Sequence, residues 1–275
     1  MPIMRLKEAD IYYESTGTGK PPLIFIHGFT CDHSDWDFQV KHLSARNQIV
    51  TCDLRGHGQS TGNRLGCTIE DLARDTGSLL SSLNVRNAVL IGHSMGCRVA
   101  LETYLRNPQL IAGIILVDGS QMGTGNPRDA VETARNAIEK MGYPSYARSL
   151  FANTFFGDYD VSLKNRIIER ALRMNPEFAI SLRSNFAGWD AAKMETALSD
   201  LKVPLLLIQS TGLNESLERF SLKKGDTTPY LDLVRRLVPT ATIEVLPGHG
   251  HFIMLEAPDV TSKLIASFAA QLKKS

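Results

Sequence analysis

The stretch of this 275-residue sequence best placed to do chemistry is Gly92-His93-Ser94-Met95-Gly96. It follows a short apolar run, Ala88 to Ile91, and opens an amphipathic pattern from Met95 to Arg106, so the spacing predicts a strand, a sharp turn and a helix. In that context G-x-S-x-G is a nucleophile elbow, in which the glycines permit the turn and the serine hydroxyl is lifted above the sheet edge. The amides and dipole of the helix starting at Met95 favour negative charge developing at the same spot. A serine that only caps a helix in a glycine-rich turn is the plainer reading. A second cluster, Gly248-His249-Gly250-His251-Phe252, offers two imidazoles, either of which has the chemistry of a general base. The pair also has H-x-H spacing, but Glu256 is the single nearby carboxylate and no cysteine accompanies it, so no metal is expected.

The elements that must position these residues are legible as alternation. Leu23 to His27, Ile49 to Asp53, Ala88 to Ile91 and Ile111 to Val117 read as buried strands, and Met95 to Arg106 as a crossover helix ended by Asn107-Pro108. Continuous apolar strands joined by helices imply a parallel sheet covered on both faces, hence the α/β class. From Gln121 to Asp200 the strand signal disappears, and Ala130 to Met141, Ser162 to Met174 and Phe178 to Phe186 read as helices. A strand at Leu205 to Gln209, a helix near Leu231 to Val238, a strand at Thr242 to Leu246 and a helix from Asp259 to Leu272 complete the pattern. Residues 1–120 and 201–275 are therefore expected to form the core, with 121–200 inserted between two strands as a helical cap. Ser210 to Thr228 reads as an irregular excursion, and loops this long are usually either mobile or part of a binding rim. Gly17-Thr18-Gly19-Lys20 precedes its strand and is a loop, not a phosphate cradle.

Composition excludes several classes. Thirty basic against 29 acidic residues leave a net charge of +1, with no electrostatic footprint for nucleic acid. No apolar run approaches the roughly 18 residues of a membrane helix. Residues 1–10 carry Arg5, Lys7, Glu8 and Asp10 without an apolar stretch, so no secretory signal is expected there. Cys31, Cys52, Cys67 and Cys97 form no C-x-x-C pair, which suggests free thiols and a cytoplasmic location. No dinucleotide fingerprint is present, and no cofactor is expected.

Taken together, His27-Gly28, Asp53 to Ser60, Gly92 to Gly96 and Gly250-His251-Phe252, followed by Leu255-Glu256 and Pro258, resemble the α/β-hydrolase superfamily over essentially the whole chain. The resemblance implies an α/β-hydrolase fold and an order of nucleophile, acid, histidine. Ser94 would be the nucleophile and His251, placed before an aromatic, the general base, with His249 a rim residue. The amides of Phe29 and Met95 would form the oxyanion hole. The acid departs from the usual pattern. Most relatives carry an aspartate after the strand matching Leu205 to Gln209, but this chain reads Ser210-Thr211-Gly212-Leu213-Asn214-Glu215. Asp118, directly after Ile114 to Val117, matches the acid of haloalkane dehalogenases and some lactone hydrolases. The alternative is Glu215.

The implied activity is cleavage of a carboxylic ester or lactone through a Ser-His-Asp triad and an acyl-enzyme. Phe151, Phe155, Phe156, Phe178, Phe186 and Trp189 in the cap segment suggest a largely apolar pocket, and so a small-molecule substrate with an apolar portion. Two other readings remain: carbon-carbon hydrolysis of ring-cleavage diketones, and a hydrolase-derived receptor with little turnover. Oligomeric state is not legible in the sequence.

Overall fold

Runs of Leu, Ile and Val without alternating polar positions form the centre of an eight-stranded sheet. The computed structural model describes residues 2–62, 66–157, 159–214 and 216–272. Within them the strands are β1 (Ile3–Arg5), β2 (Asp10–Thr16), β3 (Leu23–Ile26), β4 (Ile49–Cys52), β5 (Ala88–His93), β6 (Ile111–Val117), β7 (Leu205–Gln209), β8 (Thr211–Leu213), β9 (Arg219–Ser221) and β10 (Thr242–Val245). The helices are α1 (Asp37–Leu43), α2 (Ile69–Ser82), α3 (Met95–Arg106), α4 (Pro127–Met141), α5 (Tyr143–Ala152), α6 (Val161–Arg173), α7 (Pro176–Ser199), α8 (Pro229–Leu237), α9 (Ile253–Glu256) and α10 (Pro258–Leu272). Helices α4 to α7 intervene between β6 and β7 in the chain. None of the described helices is long and apolar enough to cross a membrane.

The sheet order is β1-β2-β4-β3-β5-β6-β7-β10, with β4 onward parallel and the β1 and β2 pairings antiparallel. Every residue of β3, β4, β5 and β7 is buried, as continuous apolar strands require when helices cover both faces. Chain order reverses around β3, whose neighbours are β4 and β5. Such a reversal opens a crevice beyond the carboxyl ends of the strands, where ligands of open α/β sheets bind. The segments leaving β3, β5, β6, β7 and β10 all emerge on that edge, and they carry Gly28, Ser94, Asp118, Ser210 and His251.

Several elements escaped the sequence reading, β2, α2 and the β8–β9 hairpin among them. In β2 only Ile11 and Tyr12 are fully buried, the remainder being polar, so the run lacks the continuous apolarity of the central strands. Helix α2 was signalled by Thr68-x-x-Asp71, a capping box in which each side chain bonds the other's backbone amide, at 3.3 and 3.1 Å. The excursion after β7 contains the β8–β9 hairpin, pairing Thr211 with Ser221 and Leu213 with Arg219. The segment Phe178 to Phe186 extends into a 24-residue helix, α7. That helix is packed between α4 and α3 and buried on most of its circumference, so no single apolar stripe marks its length.

Candidate active site

The turn after β5 holds Ser94 at φ 54° and ψ −112°, a strained conformation for a residue with a Cβ. Such strain costs about 1–3 kcal/mol and persists only where the surroundings over-determine it. Here they do. A Cβ at Gly92 would lie 2.2 Å from the Gly96 carbonyl oxygen, and one at Gly96 would lie 2.3 Å from that of Ile26. Both elbow glycines are therefore required by close backbone approach. A Cβ at Gly28 would stand 3.3 Å from Ser94 Cβ, so the loop leading into Phe29 runs directly beside the serine. Met95, the first residue of α3, has an amide with no acceptor four residues back in the helix.

His251 meets this serine across 157 positions of sequence, its Nε2 lying 2.9 Å from Ser94 Oγ. On the other side Nδ1 lies 2.6 Å from Asp118 Oδ2. An ionised carboxylate can only accept, so Nδ1 carries the proton and donates to Asp118, leaving Nε2 to accept from the serine hydroxyl. Asp118 leaves β6 at φ 47° and is fully buried. Its Oδ1 accepts from the amides of Ser210 and Thr211, both at 2.8 Å, while Oδ2 accepts from Thr211 Oγ1 at 2.5 Å and from Arg219 at 3.2 Å. Where most relatives are expected to carry an aspartate, this chain thus supplies donors to Asp118. Glu215, the alternative acid, lies outside the described residues.

The histidine turn is clamped on several sides. The His251 amide donates to the Thr154 carbonyl at 2.7 Å, and its own carbonyl accepts from His93 Nε2 at 2.9 Å. Glu256 accepts from the amides of Gly250 and Phe252 at 2.7 and 3.2 Å. His249 is half-buried, with its carbonyl accepting from Ser221 Oγ at 3.0 Å, and it is His251 that reaches Ser94. Sequence reasoning missed His93, Thr154, Ser210, Thr211 and Arg219. Only the conjunction of hydroxyl residues after β7 with an acid after β6 could have hinted at this arrangement. Among the described residues no group of His, Cys, Asp and Glu is arranged to hold a metal ion. Cys97 donates its thiol to the Gly92 carbonyl at 3.1 Å and is buried packing.

Residues 23–264 match the sequence profile of the Alpha/beta hydrolase family. The chain belongs to that family. It is similar to 2-(acetamidomethylene)succinate hydrolase of Mesorhizobium japonicum, at 24% identity over 268 residues covering 92% of this chain and 88% of that protein. Among solved structures it is similar to an esterase from Thermogutta terrifontis, with TM-score 0.79, 24% identity and coverage of 96% of this chain and 94% of that one. It also resembles the enol-lactonase of Burkholderia xenovorans, with TM-score 0.78, 23% identity and coverage of 97% and 99%. The structural likenesses establish the fold, and the family together with its hydrolase relatives supports an enzymatic role.

In this α/β-hydrolase the electrostatics around the histidine are dominated by burial and arginines. Burial opposes ionisation of Asp118, but the bond and charge of His251, then Arg219 and Thr211, outweigh it and bring its carboxyl down to about 2. Burial, reinforced by Arg219 and opposed by Asp118, lowers His251 from 6.5 to about 4. The reactive form of a general base is the neutral one, so if His251 serves as that base it would stay competent as pH falls until about 4. The rate should accordingly be flat between about pH 5.5 and 7.5, with its acid limb near pH 4. A kcat/KM profile showing an acid limb at 6 to 7, where an unperturbed imidazole titrates, would contradict this.

A pocket opens over Ser94 and His251, with Phe29, Phe151, Phe186 and Phe252 on its walls. Cys31, Met122 and Leu150 add to the apolar lining, as expected, but three arginines, Arg98, Arg183 and Arg219, line it as well and give the pocket a charged side. Trp189 faces elsewhere, donating its indole N–H to Glu102 at 3.0 Å and lining a surface cleft beside α4.

Proposed function

We propose that this chain is a serine hydrolase that cleaves a carboxylic ester or lactone, with Ser94 as nucleophile, His251 as general base and acid, and Asp118 as the residue that orients the imidazole. The observation that carries the reading is the hydroxyl–imidazole–carboxylate line, 2.9 and 2.6 Å at its two joints. In this mechanism Nε2 of His251 takes the Ser94 proton as Oγ adds to the carbonyl carbon. The amides of Phe29 and Met95 hold the resulting oxyanion, each such donor contributing about 3 to 4 kcal/mol. Collapse of the tetrahedral species breaks the bond to the alcohol oxygen, which leaves with the proton from His251. Water, deprotonated by the same imidazole, then releases the acid and restores the serine. For a lactone the alcohol and acid remain one molecule. Residues 121–200 would act as the cap over a core of 1–120 and 201–275.

The names of similar proteins, an esterase and an enol-lactonase among them, support the ester and lactone classes. Treatment with a serine-reactive fluorophosphonate is expected to add one phosphonyl group per chain, with loss of fluoride, on the peptide containing Ser94. Label found on another peptide, or no label on folded protein, would refute the nucleophile assignment.

A further inference from the structure

Among the described residues Arg183 makes no ion pair or hydrogen bond, although its charge is felt at Asp190. It is 7% exposed on α7, and its guanidinium lies 4.9 Å from the Phe186 ring centroid and 5.9 Å from that of Tyr146. Among the described residues no carboxylate or carbonyl accepts a hydrogen bond from it. Buried charges are ordinarily paired, because an unpaired ion forfeits its hydration, and ring faces return only about 0.5–2 kcal/mol. The other two cavity arginines are engaged. Arg98 makes a two-pronged bond to Asp190 at 2.8 and 2.6 Å and donates to the Ser120 carbonyl at 2.8 Å. Arg219 reaches Asp118 and donates to Thr211 Oγ1 at 2.6 Å. Among the described residues three cations thus stand against two buried carboxylates, Asp118 and Asp190, an excess of one positive charge at the pocket. Burial above all, with smaller contributions from Arg98 and Arg183, lowers the pKa of Arg219 against the pull of Asp118.

Position gives this charge a use. Arg183 and Arg219 line both the pocket over Ser94 and an adjoining, wider one between α4, α5 and the β8–β9 hairpin. Glu218 also faces the outer space, but it is exposed and accepts from Asn214 at 3.0 Å. An anion seated at the junction would satisfy Arg183 while the remainder of the same molecule reached Ser94. A guanidinium presents paired donors in a plane that matches a carboxylate.

We propose that the substrate carries a carboxylate besides the bond that is cleaved, and that Arg183, with Arg219 beside it, seats that carboxylate where the two cavities meet. The inference rests on Ser94 being the reacting site, and it deepens that reading by naming the substrate class as acidic esters or lactones with a short spacer. An apolar-only substrate would leave the Arg183 charge buried and unpaired in the complex.

Monomethyl glutarate and dimethyl glutarate share one acyl chain and differ in whether the far carboxylate is free. With the native protein, kcat/KM followed by pH-stat is expected to favour the monomethyl ester by about tenfold or more. Arg183→Gln should reduce that ratio to about one, and Arg183→Lys, which keeps a point charge without the fork, should fall between. Calorimetric binding of glutarate to native protein and to Arg183→Gln supplies a readout independent of turnover. A native preference for the diester, or an acid preference that survives Arg183→Gln, overturns the carboxylate seat. Turnover of both esters without preference and without glutarate binding overturns it while leaving ester hydrolysis standing. Arg183-dependent glutarate binding with no ester turnover supports the seat and removes the hydrolase reading instead. Neither binding nor turnover removes both. The native comparison requires no variant to fold.

Discussion

Ser94→Ala is expected to lower kcat toward any ester the native protein turns over by about 10⁵- to 10⁶-fold, with a far smaller change in KM. Alanine removes one oxygen from a residue whose backbone is fixed by neighbours, Gly92 against Gly96 and Gly96 against β3, so the elbow itself should survive. What disappears is the hydroxyl hydrogen-bonded to His251 Nε2, the atom that would form the acyl bond in the proposed mechanism. The residual rate then reflects the cavity and the amides of Phe29 and Met95 acting on water. Folding should be nearly unimpaired, since the backbone strain at φ 54° is unchanged and the one side-chain bond lost is that to Nε2. Single-turnover and steady-state assays on a soluble short-chain ester check the result. A variant retaining more than about a tenth of native kcat would remove Ser94 from the chemistry.

Asp118→Asn should be the next most damaging change, lowering kcat by about 10³- to 10⁴-fold. The reason is specific to this cradle. The amides of Ser210 and Thr211 both donate to Oδ1, so an asparagine must place its oxygen there and turn its NH₂ toward His251. The imidazole is then forced to accept at Nδ1 and carry its proton on Nε2, where it can no longer take the serine proton. Loss of the carboxylate also strands Arg219, whose ion-pair partner here is Asp118. Breaking a buried pair by removing one partner costs about 3 to 5 kcal/mol, so a lower denaturation midpoint should accompany the kinetic loss. Rate and stability are measured together, by kcat on folded variant and by urea titration. If Asp118→Asn stayed fully active and Glu215→Gln carried an equal loss, the orienting role would move to the segment after β7.

Much of the fold was written locally. The central strands announce themselves because a strand buried on both faces has no polar positions, and α3 because its apolar residues recur at helical spacing before Asn107-Pro108. Strands β1 and β2 at the polar edge lacked that signal, and α7, buried nearly all round, had no stripe to show where it ended. The elbow was legible for the same local reason, since Gly92 and Gly96 flank the serine within five positions.

Pairings over long separations were not local properties. Two acidic residues, Asp118 and Glu215, were equally able by type to face His251. Asp118 stands at the imidazole because β6 lies between β5 and β7 in the sheet, bringing the Ser210 and Thr211 amides to its carboxylate. The rings in residues 121–200 suggested a largely apolar pocket, but not that Arg183 on α7 would line it as well, beside Phe186 and Tyr146. Sequence determined which chemistries were at hand and which segments would be buried, because side-chain type and short-range periodicity act within a turn or strand. Tertiary structure decided which charge meets which partner, because Coulomb and hydrogen-bond energies depend on separations that only the closed sheet and the helices above it define.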